Sequence, residues 1–339
     1  MSFLKPIALI LILGNILLYS QVSGSANLKN DSFGSDQANA SSSASFFSMK
    51  ERNAAGYTSI TRYNEGFVAT GSDGRIDLIS ITGKITKSQT FQGESFTSVI
   101  SDNKMIIAAG DNGILRISNN GDGFRKNEIG SKRNINSVTI FNGSIVAGAD
   151  NGIIIYGDPG VDLKEIKLNL KGNIVSVSSR ITDCYGVTDA GEIIHSRNGA
   201  HWDIIDFNQI YAGYYKSCSF TKVLVTENRI AVAGIQTDGS PVIMFSTQGG
   251  VWTERPLYYT DDEGIRMFLS DSPNDVIYDE TSDLFFIACN NGKLMELPSC
   301  SQCNKLSSLP VEDIEGISII EDTMMIVGKN YFIKAVNFR

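Results

Sequence analysis

Histidine is nearly absent: His195 and His201 are the only two in 339 residues. That excludes a His-rich metal site. It also leaves little room for Ser-His-Asp chemistry, which needs an imidazole held against the nucleophile. Positive charge is short as well, with 29 Lys and Arg against 37 Asp and Glu, a formal net charge of −8. Nonspecific nucleic-acid binding depends on Lys and Arg contacts to phosphate, so no nucleic acid is expected as a partner. An anionic membrane surface is disfavoured for the same reason. Proline is scarce at 7, while glycine reaches 32. Hydrophobic residues at 42% and charged residues at 19% suit a folded globular chain rather than a disordered one.

The beginning of the chain reads as a targeting segment. Met1 to Lys5 carries one positive charge, Ile7 to Tyr19 is an apolar run, and small or polar residues follow from Ser20 to Ala26. This is the three-part layout of a secretory signal peptide, with an apolar stretch too short to span a bilayer comfortably. Cleavage is expected after Gly24, with the cut after Ala26 as the alternative. No cysteine stands at either cut, so no lipoprotein signal is read there. Losing Lys5 takes the mature chain from −8 to −9. Residues 25–45, rich in Ser, Asn, Asp and Gly, lack a hydrophobic pattern and read as a disordered linker. The expected location is extracellular, or periplasmic in a bacterial source, with no integral membrane segment left in the mature chain. Asn30, Asn39 and Asn142 head glycosylation sequons, which matter in a eukaryotic source.

A repeat organises residues 46–339. Short apolar strands ending in Asp or Asn and then Gly recur through the chain. The turn glycines Gly74, Gly113, Gly152 and Gly191 are 39 residues apart, and Gly239 and Gly292 follow after 48 and 53. A seventh, degenerate unit aligns on Tyr331, after 39 again. A period near 40 with several strands per unit is the signature of a β-propeller. In the second unit, strands are expected at Phe96–Ile100, Met105–Gly110, Ile114–Ser118 and Phe124–Ile129, with a positive-φ turn at Asp111-Asn112-Gly113. Small residues such as Ala108 and Ala109 are expected where strands crowd the axis. The fold class is therefore all-β, a seven-bladed propeller of four-stranded antiparallel blades. The last unit ends on its third strand, and Phe46 to Glu51 is expected to pair beside Phe332 to Val336 and close the ring.

Three third-to-fourth strand turns share the form Ser-x-Asn/Gln-Gly-x-x-aromatic. They are Ser118 to Phe124, Ser196 to Trp202 and Ser246 to Trp252. This resembles the Asp-box, or bacterial neuraminidase repeat, with Asn or Gln where Asp is usual. Such boxes occur in sialidases, some endoglucanases, sortilin-type receptors and photosystem II assembly-factor-like propellers. The resemblance implies fold more than function, because the box folds a hairpin away from the active face. The polar side chain should bond the turn's own backbone, and Phe124, Trp202 and Trp252 should pack between blades. Sialidase relatives use three arginines, a Tyr–Glu pair and an Asp. No Arg-Ile-Pro motif is present here, and no triad can be assigned.

Units five and six carry about nine and fourteen extra residues, at Phe207 to Cys218 and Leu257 to Asn274. Both fall between one blade's outer strand and the next blade's inner strand, on the face of the Asp-Asn-Gly turns. Tyr211, Tyr214 and Tyr215 lie in the first. Tyr258, Tyr259, Asp261, Asp262, Glu263 and Arg266 lie in the second. Tyrosine offers an apolar ring with a polar tip, so these loops are the candidate ligand or partner surface. The alternative is ordinary long loops packing on each other. Asp261-Asp262-Glu263 lacks EF-hand spacing and reads as solvated loop charge. Cys184 and Cys289 read as buried core residues, while Cys300 and Cys303 read as a local disulfide in an exported chain. No second cysteine pair supports zinc, and no cofactor is expected. The functional expectation is a secreted, non-catalytic binding or scaffold module for a protein or glycan. The alternatives are an Asp-box-type glycoside hydrolase, or an assembly factor of the photosystem II kind.

Overall fold

The computed structural model describes residues 55–339 apart from 128, 131, 262 and 299–303. The leader, the linker, Asn30, Asn39, residues 46–51, Asp262 and the Cys300–Cys303 turn therefore lie outside the described residues. The chain divides into units Met1–Phe46 and Phe47–Arg339, and the second holds everything described.

That second unit is a seven-bladed β-propeller. Six sheets have four antiparallel strands in simple meander order, and the seventh has three. The innermost strands are Tyr57–Tyr63, Phe96–Ser101, Ile135–Phe141, Ile174–Ser179, Cys218–Val225, Pro273–Asp279 and Ile314–Ile320. The hairpin turns form as the Asp-Asn-Gly pattern requires: Asn112 and Asn151 sit at φ 56° and 60°. Asparagine tolerates this left-handed region better than any other residue with a Cβ. The outer strand of blade 2 is only Arg125–Lys126, shorter than its apolar flanks predict, because Phe124 and Ile129 turn inward into core clusters.

Each strand alternates its side chains between two faces, so each blade presents apolar surface to both neighbours. Seven hydrophobic clusters result, one at each seam between consecutive blades. The cluster between blades 7 and 1 joins Met325 and Val327 to Tyr57, Ile60 and Phe67. At that seam the Tyr57 hydroxyl donates to the fully buried Asp77 carboxylate, and the Arg75 guanidinium lies 4.4 Å from the Tyr331 ring centroid. Gly56 bridges to Lys329, where a Cβ would come within 2.6 Å of the Lys329 Cα, so only glycine fits.

Ala108 and Ala109 belong to second strands, and the crowding of the innermost ring is met by serine instead. Ser59, Ser98, Ser137 and Ser176 each accept a backbone N–H from the next blade's innermost strand. The donors are Val99 (3.2 Å), Val138 (3.1 Å), Val177 (3.0 Å) and Val223 (3.1 Å). One residue earlier, Thr58 and Thr97 donate to the Phe96 and Ile135 carbonyls (2.8 and 2.6 Å), and Asn136 donates to that of Ile174 (3.0 Å). Side chains thus supply the inter-blade bonds that parallel neighbouring strands here do not make themselves.

Candidate interaction surface

The first insertion begins with a one-turn helix, Phe207–Ile210, whose Gln209 N–H is capped by the Asp206 carboxylate at 3.0 Å. Phe207 is fully buried, and Tyr211 and Tyr215 stack on its ring with centroids 4.6 and 5.9 Å away. The Tyr211 hydroxyl accepts the Trp252 N–H (3.3 Å) and donates to the Gly250 carbonyl (3.5 Å). Asn208 pins the loop through the Ala190 and Cys218 backbones at 2.7–3.0 Å. Tyr214 alone of the three tyrosines stands out, 84% exposed. Lys216 pairs with Asp238 and holds that carboxyl well below the usual range.

The second insertion is a hairpin of Tyr258–Thr260 and Arg266–Phe268. Asp261 caps its turn by accepting the Ile265 N–H at 2.7 Å and the Glu263 N–H at 3.0 Å. Both bonds go to Oδ1, and Glu263 beside it is exposed. Tyr258 is buried beneath the Arg266 guanidinium, 4.2 Å from its centroid, and Tyr259 is half-buried against the blade 5–6 cluster. Ile265, Met267 and Phe268 are exposed.

The two insertions do not stand upright on the turn face. Tyr211 reaches residues 250–252, in the third-to-fourth strand turn that opens on the opposite face. The Tyr258 carbonyl accepts Asn304 Nδ2 (2.7 Å), at the start of blade 6's outer strand, also the end nearest that face. Both insertions therefore run down the outer flank. Blade 5's outer strand, Thr253–Glu254, is only two residues long. Tyr211 and Tyr215 pack with the cluster between blades 4 and 5, whereas Tyr259 packs with the next.

Two polar assemblies escaped the sequence reading. At the serine position of the innermost ring, blade 5 has Lys222 and blade 6 has Asp275, paired at 2.8 Å across their seam. Asp275 also accepts the N–H of Val276 and of Ile317, both at 3.0 Å. In each innermost strand this position directly follows the bulge, which in blade 5 lies between Phe220 and Lys222 and in blade 6 between Pro273 and Asp275. On the face opposite the Asp-Asn-Gly turns, Asp183 accepts from His195 Nε2 (2.8 Å), Arg180 Nε (2.9 Å) and Thr182 (2.7 Å). Burial pushes the Asp183 carboxyl up, but the bonds from Thr182, His195 and Arg180 outweigh it and bring it down to about 2. His195 stacks on Tyr185 at 4.5 Å, and Arg180, Thr182, Asn228 and Gln248 line a shallow cleft beside it.

In two of the box turns the polar side chain bonds the turn's own backbone: Asn120 accepts the Asp122 N–H at 3.0 Å, and Asn198 accepts those of Ala200 and His201 at 3.0 and 2.9 Å. Ser196 and Ser246 accept the N–H of Gly199 and Gly249, both at 2.8 Å, and Trp202 and Trp252 donate to those glycines' carbonyls at 2.9 and 3.1 Å. Gly199 and Gly249 sit at φ 75° and 76°, where a Cβ would press into Tyr156 or Tyr185 of the preceding blade. Trp252 and Phe124 are buried. Cys184, Cys218 and Cys289 are buried free thiols; burial pushes Cys218 up to about 12, and the other two further. Asn142 is exposed on a two-residue hairpin turn. Among the described residues, no three His, Cys, Asp or Glu side chains gather as metal ligands would, and no helix is long and apolar enough to cross a membrane.

No family model matches the chain, and no curated protein matches it. Among solved structures it is similar to the WD40 beta propeller domain of Doa1, with a TM-score of 0.64 and 10% identity over 84% of this chain and 93% of that one. It is also similar to the computationally designed Ika8 protein, with a TM-score of 0.59 and 11% identity over 85% of this chain and 98% of that one. At these identities the likeness carries the fold alone, and the fold it carries is the β-propeller.

Proposed function

We propose that the chain is an exported, non-catalytic propeller that binds a protein or glycan partner through its two flank insertions. One observation supports this reading above the rest. Ten large hydrophobic side chains are exposed among the described residues, and five of them, Ile210, Tyr214, Ile265, Met267 and Phe268, lie in the two insertions. The insertions are only 12 and 18 residues long. Exposed apolar side chains concentrated on a rigid frame mark interaction sites more often than scattered ones do. Export rests on the leader-like first residues.

A glycoside-acting enzyme would need two carboxylates free to face one sugar. Asp275, the acidic residue of the serine ring, spends both oxygens on Lys222 and on backbone N–H groups. The test is a binding screen on a glycan array and a panel of secreted proteins, run beside a chromogenic glycoside panel. Wild type should bind without turnover, and I210S/Y214S or M267S/F268S should lose binding while keeping the wild-type melting temperature. Turnover would reject the non-catalytic reading.

A further inference from the structure

We propose that the flank between the outer strands of blades 2 and 3 is a second binding site, for an anionic polysaccharide, separate from the two insertions. Residues 125–134 carry four Lys and Arg against one Glu, and residues 164–167 carry two Lys against one Glu. These two segments hold +4 in a chain of −8, which leaves −12 on all the other residues. A cluster of one sign sets the local field whatever the net charge of the chain.

The fold turns these charges towards one another. The outer strands are Arg125–Lys126 in blade 2 and Lys164–Lys167 in blade 3. Arg125 pairs with Ile117, and Glu165 and Lys167 pair with Ile155 and Ile153. Those three isoleucines belong to the cluster between blades 2 and 3. Directly paired residues share a face of their sheet, so Arg125 looks towards blade 3 and Lys167 towards blade 2. The connection between the two blades adds to the same flank. Arg133 Nε is 3.9 Å from Glu165 Oε2, and Ile129, Gly130, Lys132, Arg133 and Glu165 line an open cleft of about 580 Å³. Glu165 is the one acid in that lining, against Lys132 and Arg133. Arg125, Lys132 and Lys167 are all exposed.

Neighbouring flanks do not repeat this arrangement. Blade 4's outer strand, Asp203–Asp206, carries two acids and no cation. Lys171, next along the chain, is held by Asp206, and Arg116, one strand further in, is held by Glu94 at 2.6 Å.

The other residues of the two segments name the class of partner. Neither segment contains an aromatic residue, so neither offers the stacking platform that single-stranded nucleic acid uses. None of the ten exposed large hydrophobics among the described residues lies in either segment, so an acidic protein finds no apolar anchor there. Lys and Arg N–H donors on an open cleft suit a chain held by its charges alone, which is a sugar polymer bearing sulfate or carboxylate groups.

The experiment titrates the full chain with labelled heparin, hyaluronan, single-stranded DNA and poly-glutamate at about 0.15 M salt, scored apart from partners of the insertions. Wild type should bind heparin, and R125E/K132E should weaken that binding at least ~10-fold at the wild-type melting temperature. R125K/K132R should keep it. If the reversed charges unfold the chain, R125Q/K132Q decides in their place. I210S/Y214S should bind heparin as wild type does, so the two sites are read independently. No binding to either polysaccharide overturns the proposal. So does binding that R125E/K132E leaves unchanged, or that I210S/Y214S abolishes. Tighter binding of DNA or poly-glutamate than of either polysaccharide also overturns it, and assigns the cleft to a nucleic acid or to an acidic protein segment.

Discussion

Lys222 and Asp275 hold each other at 2.8 Å across the seam between blades 5 and 6, at the position where four other blades place a serine. Lys222 keeps a third of its side chain in water, while Asp275 is nearly buried. Removing the cation leaves the acid desolvated. Lys222→Ala is therefore expected to cost about 1–3 kcal/mol, below the full penalty for a buried pair because of that exposure. The double variant K222S/D275S restores the hydroxyl pattern and should be more stable than Lys222→Ala. A urea double-mutant cycle measures both.

The serine ring predicts a second cost. Ser137→Ala strands the Val177 N–H inside the seam between blades 3 and 4. The loss should be about 1–3 kcal/mol in urea unfolding, the penalty of an unsatisfied buried donor. Ser137→Thr keeps the acceptor and should recover most of it.

Gly199 tests the box turn. Gly199→Ala adds both a positive-φ strain and a Cβ 2.4 Å from the Tyr156 ring. A loss of roughly 1–3 kcal/mol is expected. Tyr156→Ala in the same chain should relieve the clash but not the φ strain. Equal stability of Gly199→Ala and wild type in thermal melts would show that the turn does not need glycine.

Asp183 sets a pH window. Its folded value, about 2, lies below the ordinary carboxylate value of 3.8. A depressed folded pKa contributes stability above the unfolded value, lost as pH falls through the folded one. The melting temperatures of wild type and Asp183→Asn should therefore differ most above pH ~4 and converge towards pH ~2. A constant difference would contradict this. The comparison is made between variants because Asp206 and Asp279 are depressed as well and slope the wild-type profile by themselves.

Asn142 is exposed at a hairpin turn, and Ser144 completes its sequon. Expressed with its own leader in a eukaryotic secretory host, the chain should carry an endoglycosidase-sensitive mass that Asn142→Gln lacks. An unmodified Asn142 in chains recovered from the medium contradicts this.

The blade repeat was legible because backbone geometry imposes it: Asn112 and Asn151 occupy left-handed turns 39 residues apart. The box aromatics were legible because a turn needs a stapling side chain and a seam needs a ring. The insertions were legible in length but not in direction. Nothing local to the insertions announces their direction: the bonds that lay Tyr211 and Tyr258 along the flank join them to Trp252 and Asn304, 41 and 46 residues on. Burial of Tyr211 and Tyr215 depends on Phe207, a helix residue the spacing did not single out. The Lys222–Asp275 pair stayed hidden because its partners are 53 residues apart in two blades of unequal length.

A binding screen with the flank variants decides whether the partner sits on the two insertions. Wild type should bind, I210S/Y214S or M267S/F268S should abolish binding at an unchanged melting temperature, and no glycoside should be turned over. Binding that survives both variants would contradict that placement, because the partner would then sit elsewhere on the ring.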